Sequence, residues 1–233
     1  MKTPRKNKRK KANSVIRFVP EKRYLEKARV YIDNLERFIE DRDRAIPILL
    51  RALHFGDQKL KHEITSLLGG FADNNITGHL YRIIKDTAED GDLRHEAAVQ
   101  LSVTLPMVKG QRPLVDSLLE DLNSTDAELR SCVALALGWE GNHLAVDALI
   151  ERLDDQDEFV QHAAVNALSS LGEDRAYHLL LARLKHGKRE LQRAILFALV
   201  RFDSRHEEIA EVYKQQMDVA DDELRFDAFV LLG

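Results

Sequence analysis

What the sequence lacks narrows it first. One cysteine, Cys132, stands among 233 residues. No internal disulfide and no cysteine-based zinc site can form, and a reducing cytoplasm is the expected compartment. Aromatic residues make up 6%, and there are only 5 prolines and 11 glycines, a poor supply of pleat and turn formers for an all-β barrel. Nowhere do 18 apolar residues run together, so no membrane-spanning helix is expected. The chain starts basic, as a signal peptide does. The segment from Val15 to Arg23 that follows is too short and too charged to be an apolar h-region. A glycine-rich phosphate loop, a Gly-x-Ser-x-Gly elbow and a His-Glu-x-x-His pair are all missing.

What is there points to helices. The chain is 44% hydrophobic and 32% charged. Its net charge of −4 hides an asymmetry, because Lys2, Arg5, Lys6, Lys8, Arg9, Lys10 and Lys11 precede the first acid. Taking these seven from the 35 basic residues leaves 28 against 39 acidic ones, or −11 for residues 12–233. The expectation for residues 1–14 is a disordered basic arm. Such an arm contacts nucleic acid, ribosome or anionic lipid, or folds back on the acidic body. Without aromatics it attracts by charge and selects no sequence.

The rest repeats itself. The segment Leu114–Gly138 falls on Ala145–Ser169 when shifted by 31 residues, and a second equal shift lands on Ala176–Val200, all without gaps. Each unit holds two apolar patterns of helical period. The first is carried by Leu118, Leu119 and Leu122 in one unit and Leu149, Ile150 and Leu153 in the next. The second is carried by Leu129, Val133 and Leu137, then Val160, Ala164 and Leu168. A short polar turn separates them, and Thr125 with Glu128 reads as a capping box. Backwards and forwards the frame extends, with small indels, to about six helix pairs over residues 41–233. Pro106 and Pro113 bracket a longer connection where the stack is expected to bend. Residues 15–40 read as an N-terminal capping helix. Within it Tyr24, Ala28, Val30, Tyr31, Leu35 and Ile39 are expected to face the first pair. The apolar C-terminal segment around Phe229 is expected to be covered by another copy or a partner, or continued by further chain, with end-to-end association the favoured expectation.

An Asp in the turn (Asp57, Asp90, Asp126, Asp157, Asp221), a Leu-Arg opening the second helix and an Ala-rich stretch after it define the unit. On these residues the chain resembles the HEAT-like repeats first named for phycobilisome lyases. The resemblance implies an all-α fold, a right-handed α-α superhelix, and is nearly silent on activity. The Asp column, with Lys61, Arg94, Arg130 and Arg225 four residues on, reads as turn capping and ion pairing between repeats.

Equivalent positions of successive second helices form columns along the inner face of such a stack. One column reads His62, His95, Ser131, His162, Arg193, Phe226, and these are the expected partner contacts. The column beside it begins Glu63 and Glu96. The two His-Glu pairs, His62-Glu63 and His95-Glu96, are similar to half of the metal site of the deoxyhypusine hydroxylase family. That resemblance implies a site for iron, with neutral imidazoles and carboxylates as ligands. The second half is absent, since Ser131-Cys132, His162-Ala163 and Arg193-Ala194 stand where further pairs belong.

The leading expectation is a protein-interaction scaffold, without a cofactor, that grips another protein on its concave face. A metal-dependent hydroxylase, or by family resemblance a tetrapyrrole lyase, is the second reading. Nucleic-acid binding through the basic arm is the third.

Overall fold

The computed structural model describes residues 20–139, 141–202, 205–219 and 222–232. Among the described residues there are fourteen α-helices and no strand. Two short helices, α1 (Pro20–Ile32) and α2 (Leu35–Glu40), precede six antiparallel pairs. The pairs are α3 (Arg42–Ala52) with α4 (Gln58–Leu68), α5 (Asn74–Lys85) with α6 (Gly91–Thr104), and α7 (Arg112–Asp121) with α8 (Ala127–Ala136). They continue with α9 (Val146–Arg152) and α10 (Glu158–Leu171), α11 (Asp174–His186) and α12 (Arg189–Leu199), and α13 (His206–Val219) and α14 (Asp222–Leu232). The basic residues Lys2 to Lys11 and the turn residue Asp221 lie outside the described residues.

Second helices α4, α6, α8 and α10 start at an aspartate, whereas α12 starts at Lys188 without a side-chain cap, and the reason for the aspartates is local. Asp57 accepts a hydrogen bond from the Leu60 amide at 2.9 Å, Asp90 from Asp92 at 2.7 Å and Asp157 from Phe159 at 2.9 Å. These bonds satisfy amides that the helix itself leaves free. In the third pair the cap is Asp126, which accepts from the Glu128 amide at 3.0 Å. The expected capping box from Thr125 therefore gives way to the aspartate column, and the Glu128 carboxylate turns to Arg94 of the preceding repeat. At the far end of α10, Gly172 takes φ 69° and stops the helix in the left-handed conformation.

The second helices form the tight side of the stack, with α4 on α6, α6 on α8, α8 on α10, α10 on α12 and α12 on α14. Small side chains permit this. Ala97, Ala98, Ala134, Ala136, Ala163, Ala164 and Ala167 are all buried along this row. The glycine whose added Cβ would come nearest to another helix's backbone is Gly138, 2.6 Å from the Ala167 Cα. Backbone cannot retreat as a flexible side chain does. Gly138→Ala is thus expected to cost about 2 kcal/mol, within the range for overpacking a filled contact, measured by urea unfolding. An unchanged midpoint would show that the two helices slide apart freely.

The stack is continuous across the proline-bracketed connection. Leu105–Met107 form a single 3-10 turn after α6, and α6 still packs against α8 beyond it.

The capping segment differs from a single helix over residues 20–40. It breaks at Asp33, and Asn34 starts α2 by accepting the Arg37 amide at 2.9 Å. The break resets the helical phase. Ala28, Tyr31 and Phe38 are buried, whereas Val30, Leu35 and Ile39 are exposed. Phe38 rests edge-on against Phe71, with ring centroids 4.9 Å apart.

Candidate functional site

The inner face is built by the second helices, and its middle holds a groove in two adjoining parts. The larger part, 690 Å³, lies over the starts of α6, α8 and α10. Its wall carries His95, Ser131 and Phe159, with the carboxylates of Asp92, Glu128 and Asp157 at the rim. The smaller part, 270 Å³, runs toward the ends of the same helices and reaches the connection after α12. Val99, Leu135, Asn166, Ser170 and Arg201 line it. His95 borders both parts. Phe159 is 67% exposed, a large apolar ring held in water on a rigid helix start.

Polarity changes along the groove. The end at the helix starts is acidic, the middle is apolar, and the far end holds the Arg201 guanidinium, which donates to Ser170 Oγ at 2.6 Å. Below the groove, burial pushes the Cys132 thiol up to about 12. The thiol therefore stays protonated and serves as a small packing group.

The column expected from the sequence separates into two kinds of residue. His62 contacts Glu96 of the next repeat, and Arg193 donates to Asp227 of the next repeat at 2.7 Å. These two are occupied inside the stack. His95 and Phe226 face outward, and Ser131 Oγ sits 3.3 Å from the Phe159 carbonyl. His162 is half-buried, its Nε2 shielded from solvent with no hydrogen-bond partner among the described residues. The four residues of the two His-Glu pairs do not converge. Glu63 is held by Arg29 of α1, while His62 and Glu96 hold each other. Among the described residues no group of three or more His, Cys, Asp or Glu is arranged to hold a metal ion.

The apolar part of the groove escaped the column argument. Val99 and Phe197 stand four residues beyond His95 and Arg193, and Phe159 three before His162, so all three lie one turn from the column on the same helix faces. Each is a large apolar residue outside the repeat's core positions, and that signal is readable in the sequence.

Ion pairing between repeats is denser than a cap column implies. Arg94 is 2% exposed, and it donates to the Ile84 carbonyl at 2.8 Å, to Asp126 at 3.0 Å and to Glu128. Arg130 grips Asp155 through two bonds of 2.9 and 2.7 Å and also donates to the Ser124 carbonyl at 2.8 Å. Burial alone would raise the Asp126 and Asp155 carboxyls. The bonds from Arg94 and Arg130, together with backbone amides, hold both below the usual carboxylate range.

Comparison with known proteins agrees with this architecture. A family model for HEAT repeats matches residues 80–169 and 115–200, which together cover more than half of the chain. The chain belongs to the HEAT-repeat family. Its HEAT stack is similar to the complex of CpcE and CpcF of phycocyanin lyase from Nostoc sp. PCC7120. The identity there is 21%, over 78% of this chain and 73% of that one, with a TM-score of 0.50. A computationally designed armadillo repeat protein for modular peptide recognition aligns at 14% identity, covering 78% and 93% of the two chains, with a TM-score of 0.43. Human deoxyhypusine hydroxylase aligns at 16% identity over 91% and 95%, with a TM-score of 0.35. These likenesses concern the fold of HEAT-type stacks alone. No curated protein matches the sequence. No helix among the described residues is long and apolar enough to cross a membrane.

Proposed function

We propose that this HEAT stack is a binding module that holds a segment of another protein along its second-helix face. The supporting observation is where large apolar side chains meet water. Val99 on α6, Phe159 on α10, Phe197 on α12 and Phe226 on α14 are all exposed. Among the described residues the first helices α3, α5, α7, α9, α11 and α13 expose none. Within the helices of the six pairs, exposed large apolar side chains gather on the second-helix face, and together with charges sorted to the two ends of its groove they form a surface that a protein partner recognises. A bound segment would set apolar side chains against Val99, Leu135 and Phe159, a basic group toward Asp92 and Glu128, and an acceptor toward Arg201. The repeat scaffold keeps these groups fixed, so little ordering cost falls on the HEAT side.

A photo-crosslinking residue at Val99, Phe159 or Phe197, introduced in the native host, tests this. The expected result is the same adduct from all three positions, and none from Asp116 on α7 or Glu151 on α9. Equal labelling from both faces, or labelling from the first helices alone, overturns the reading.

A further inference from the structure

The acidic rim of the groove is short of cations. Arg94 and Arg130 are taken up by Asp126, Glu128 and Asp155. Asp92 at the start of α6, and Asp157 and Glu158 at the start of α10, make no ion pair among the described residues. They do not gather around a metal ion either, since no group of three or more His, Cys, Asp or Glu is so arranged among the described residues. Neighbouring packed helices lie about 10 Å apart, so these charges are strung along an edge. Such a row attracts a chain of positive charges. It ends at α12, which begins at Lys188 and Arg189. The opposite edge differs, because Asp116, Asp147 and Asp174 there are each paired with an arginine.

Two contacts fix where residues 1–19 join the stack. Arg51, in the last turn of α3, lies over the ring of Tyr24 near the start of α1, 6.0 Å from its centroid. Tyr31 Oη, near the end of α1, lies 3.5 Å from a carboxylate oxygen of Asp41 at the start of α3. The α1 helix therefore runs antiparallel to α3 and parallel to α4, and it sends Arg29 to Glu63 of α4 as a preceding second helix would. Pro20 thus stands on the edge where the second helices start, which is the acidic one.

We infer that the basic segment Lys2–Lys11 docks along this edge and covers the acidic end of its own chain's groove. Spacing and reach support the charge argument. Lys2, Arg5, Lys8 and Lys11 recur at every third residue, and three residues of extended chain cover about 10 Å, one helix step. Lys11 lies nine residues before Pro20, about 30 Å of extended chain. From α1 the row runs through α4, α6, α8 and α10, which puts α6 about 20 Å away and α10 about 40 Å. Lys11 can therefore meet Asp92, Lys8 the half-exposed Glu128, and Arg5 the pair Asp157 and Glu158, each with slack. The tether also decides between this segment and a free basic partner, because it holds the segment at an effective concentration of about a millimolar. In the docked state the segment competes with a bound protein for the rim. That consequence rests on the binding-module reading, whereas the docking does not.

Carbodiimide forms an amide between a lysine and a carboxylate only where the two touch. In the 233-residue chain at low micromolar concentration, Lys8 and Lys11 are expected to couple to Asp92, Glu128, Asp157 or Glu158 within single chains. Most of this coupling should be lost in about 0.5 M sodium chloride. A nitroxide on Asn7→Cys, in a Cys132→Ser background, gives a second measure. It should move slowly, and it should become freely mobile when Asp92→Asn, Asp157→Asn and Glu158→Gln are combined, a set in which asparagine still caps α10. Coupling to Asp116 and Asp147 as strong as to the rim, coupling only between two chains, or equal nitroxide mobility in both proteins overturns the inference. The competition is read separately. Exchanging the seven basic residues for glutamine should raise the partner adduct from Phe159 several-fold, and an unchanged yield overturns the competition. Rim coupling without any partner adduct supports the docking and overturns the binding-module reading.

Discussion

Arg94→Ala is expected to destabilise the stack by about 3 kcal/mol, in line with breaking a buried ion pair whose other partners stay behind. The side chain is 2% exposed and ties three elements together. Its Nε caps the Ile84 carbonyl near the end of α5, and its terminal nitrogens hold Asp126 and Glu128 at the start of α8. Alanine removes the buried donor, strands a buried carbonyl and leaves two carboxylates facing each other. Both carboxylates keep some contact with water, at 32% and 46% exposure, which places the loss at the lower end of the range. Urea unfolding measures the change. The pH dependence identifies its cause. Asp126 is held below the usual carboxylate range in the folded chain, so folding favours its ionised form. That stability is complete above the ordinary carboxylate pKa near 4 and drains as the pH falls through the lowered folded value. In Arg94→Ala the same acid limb should be shallower, and Asp126→Asn added to Arg94→Ala should cost little more. A loss under 1 kcal/mol with an unchanged acid limb would mean that the guanidinium is not coupled to Asp126.

The same residue marks how far the sequence is legible. The period and the pairing are written in every unit, and an aspartate cap in all but the α11–α12 pair, where Lys188 stands, because the pairs solve the same local problem with the same residue types. The arginine column was visible where it followed an aspartate. Its completion was not, because two of its members are glutamines. Gln161 donates to the Asp155 carbonyl at 2.6 Å and Gln192 to Leu184 at 2.7 Å, as Arg94, Arg130 and Arg225 do for Ile84, Ser124 and Met217. In five of the six pairs one register position therefore supplies a long donor to the carbonyls left free before the second helix, while Lys61 in the first pair turns to Glu89. Charge is incidental to that task, and a search for basic residues alone misses it. The inner column shows the complementary limit. That His62 and Arg193 lie on the inner face follows from spacing. That both are taken up by Glu96 and Asp227 depends on carboxylates 34 residues away across a packed interface.

Phe38→Ala is expected to cost about 3–5 kcal/mol, the range for emptying a filled aromatic site, but only in part of the molecule. Phe38 is 0% exposed, and with Phe71 it links α2 to the turn after α4. A continuous helix over residues 20–40 would have turned Leu35 and Ile39 inward. The break at Asn34 turns Phe38 inward instead, which makes this ring the anchor of the cap. Repeat stacks are quasi-one-dimensional, since each pair touches only its neighbours. The lost energy should therefore appear as local opening at the start. In native-state hydrogen exchange, the amides of α1, α3 and α4 should exchange faster by about two to three orders of magnitude, as 3–4 kcal/mol of lost opening energy requires. Those of α10 and α12 should keep their rates, since several helix pairs separate them from the vacated site. Acceleration spread evenly from α3 to α12 would show that the stack unfolds as one cooperative block. No acceleration in α3 would show that α2 is not what holds the first pair closed.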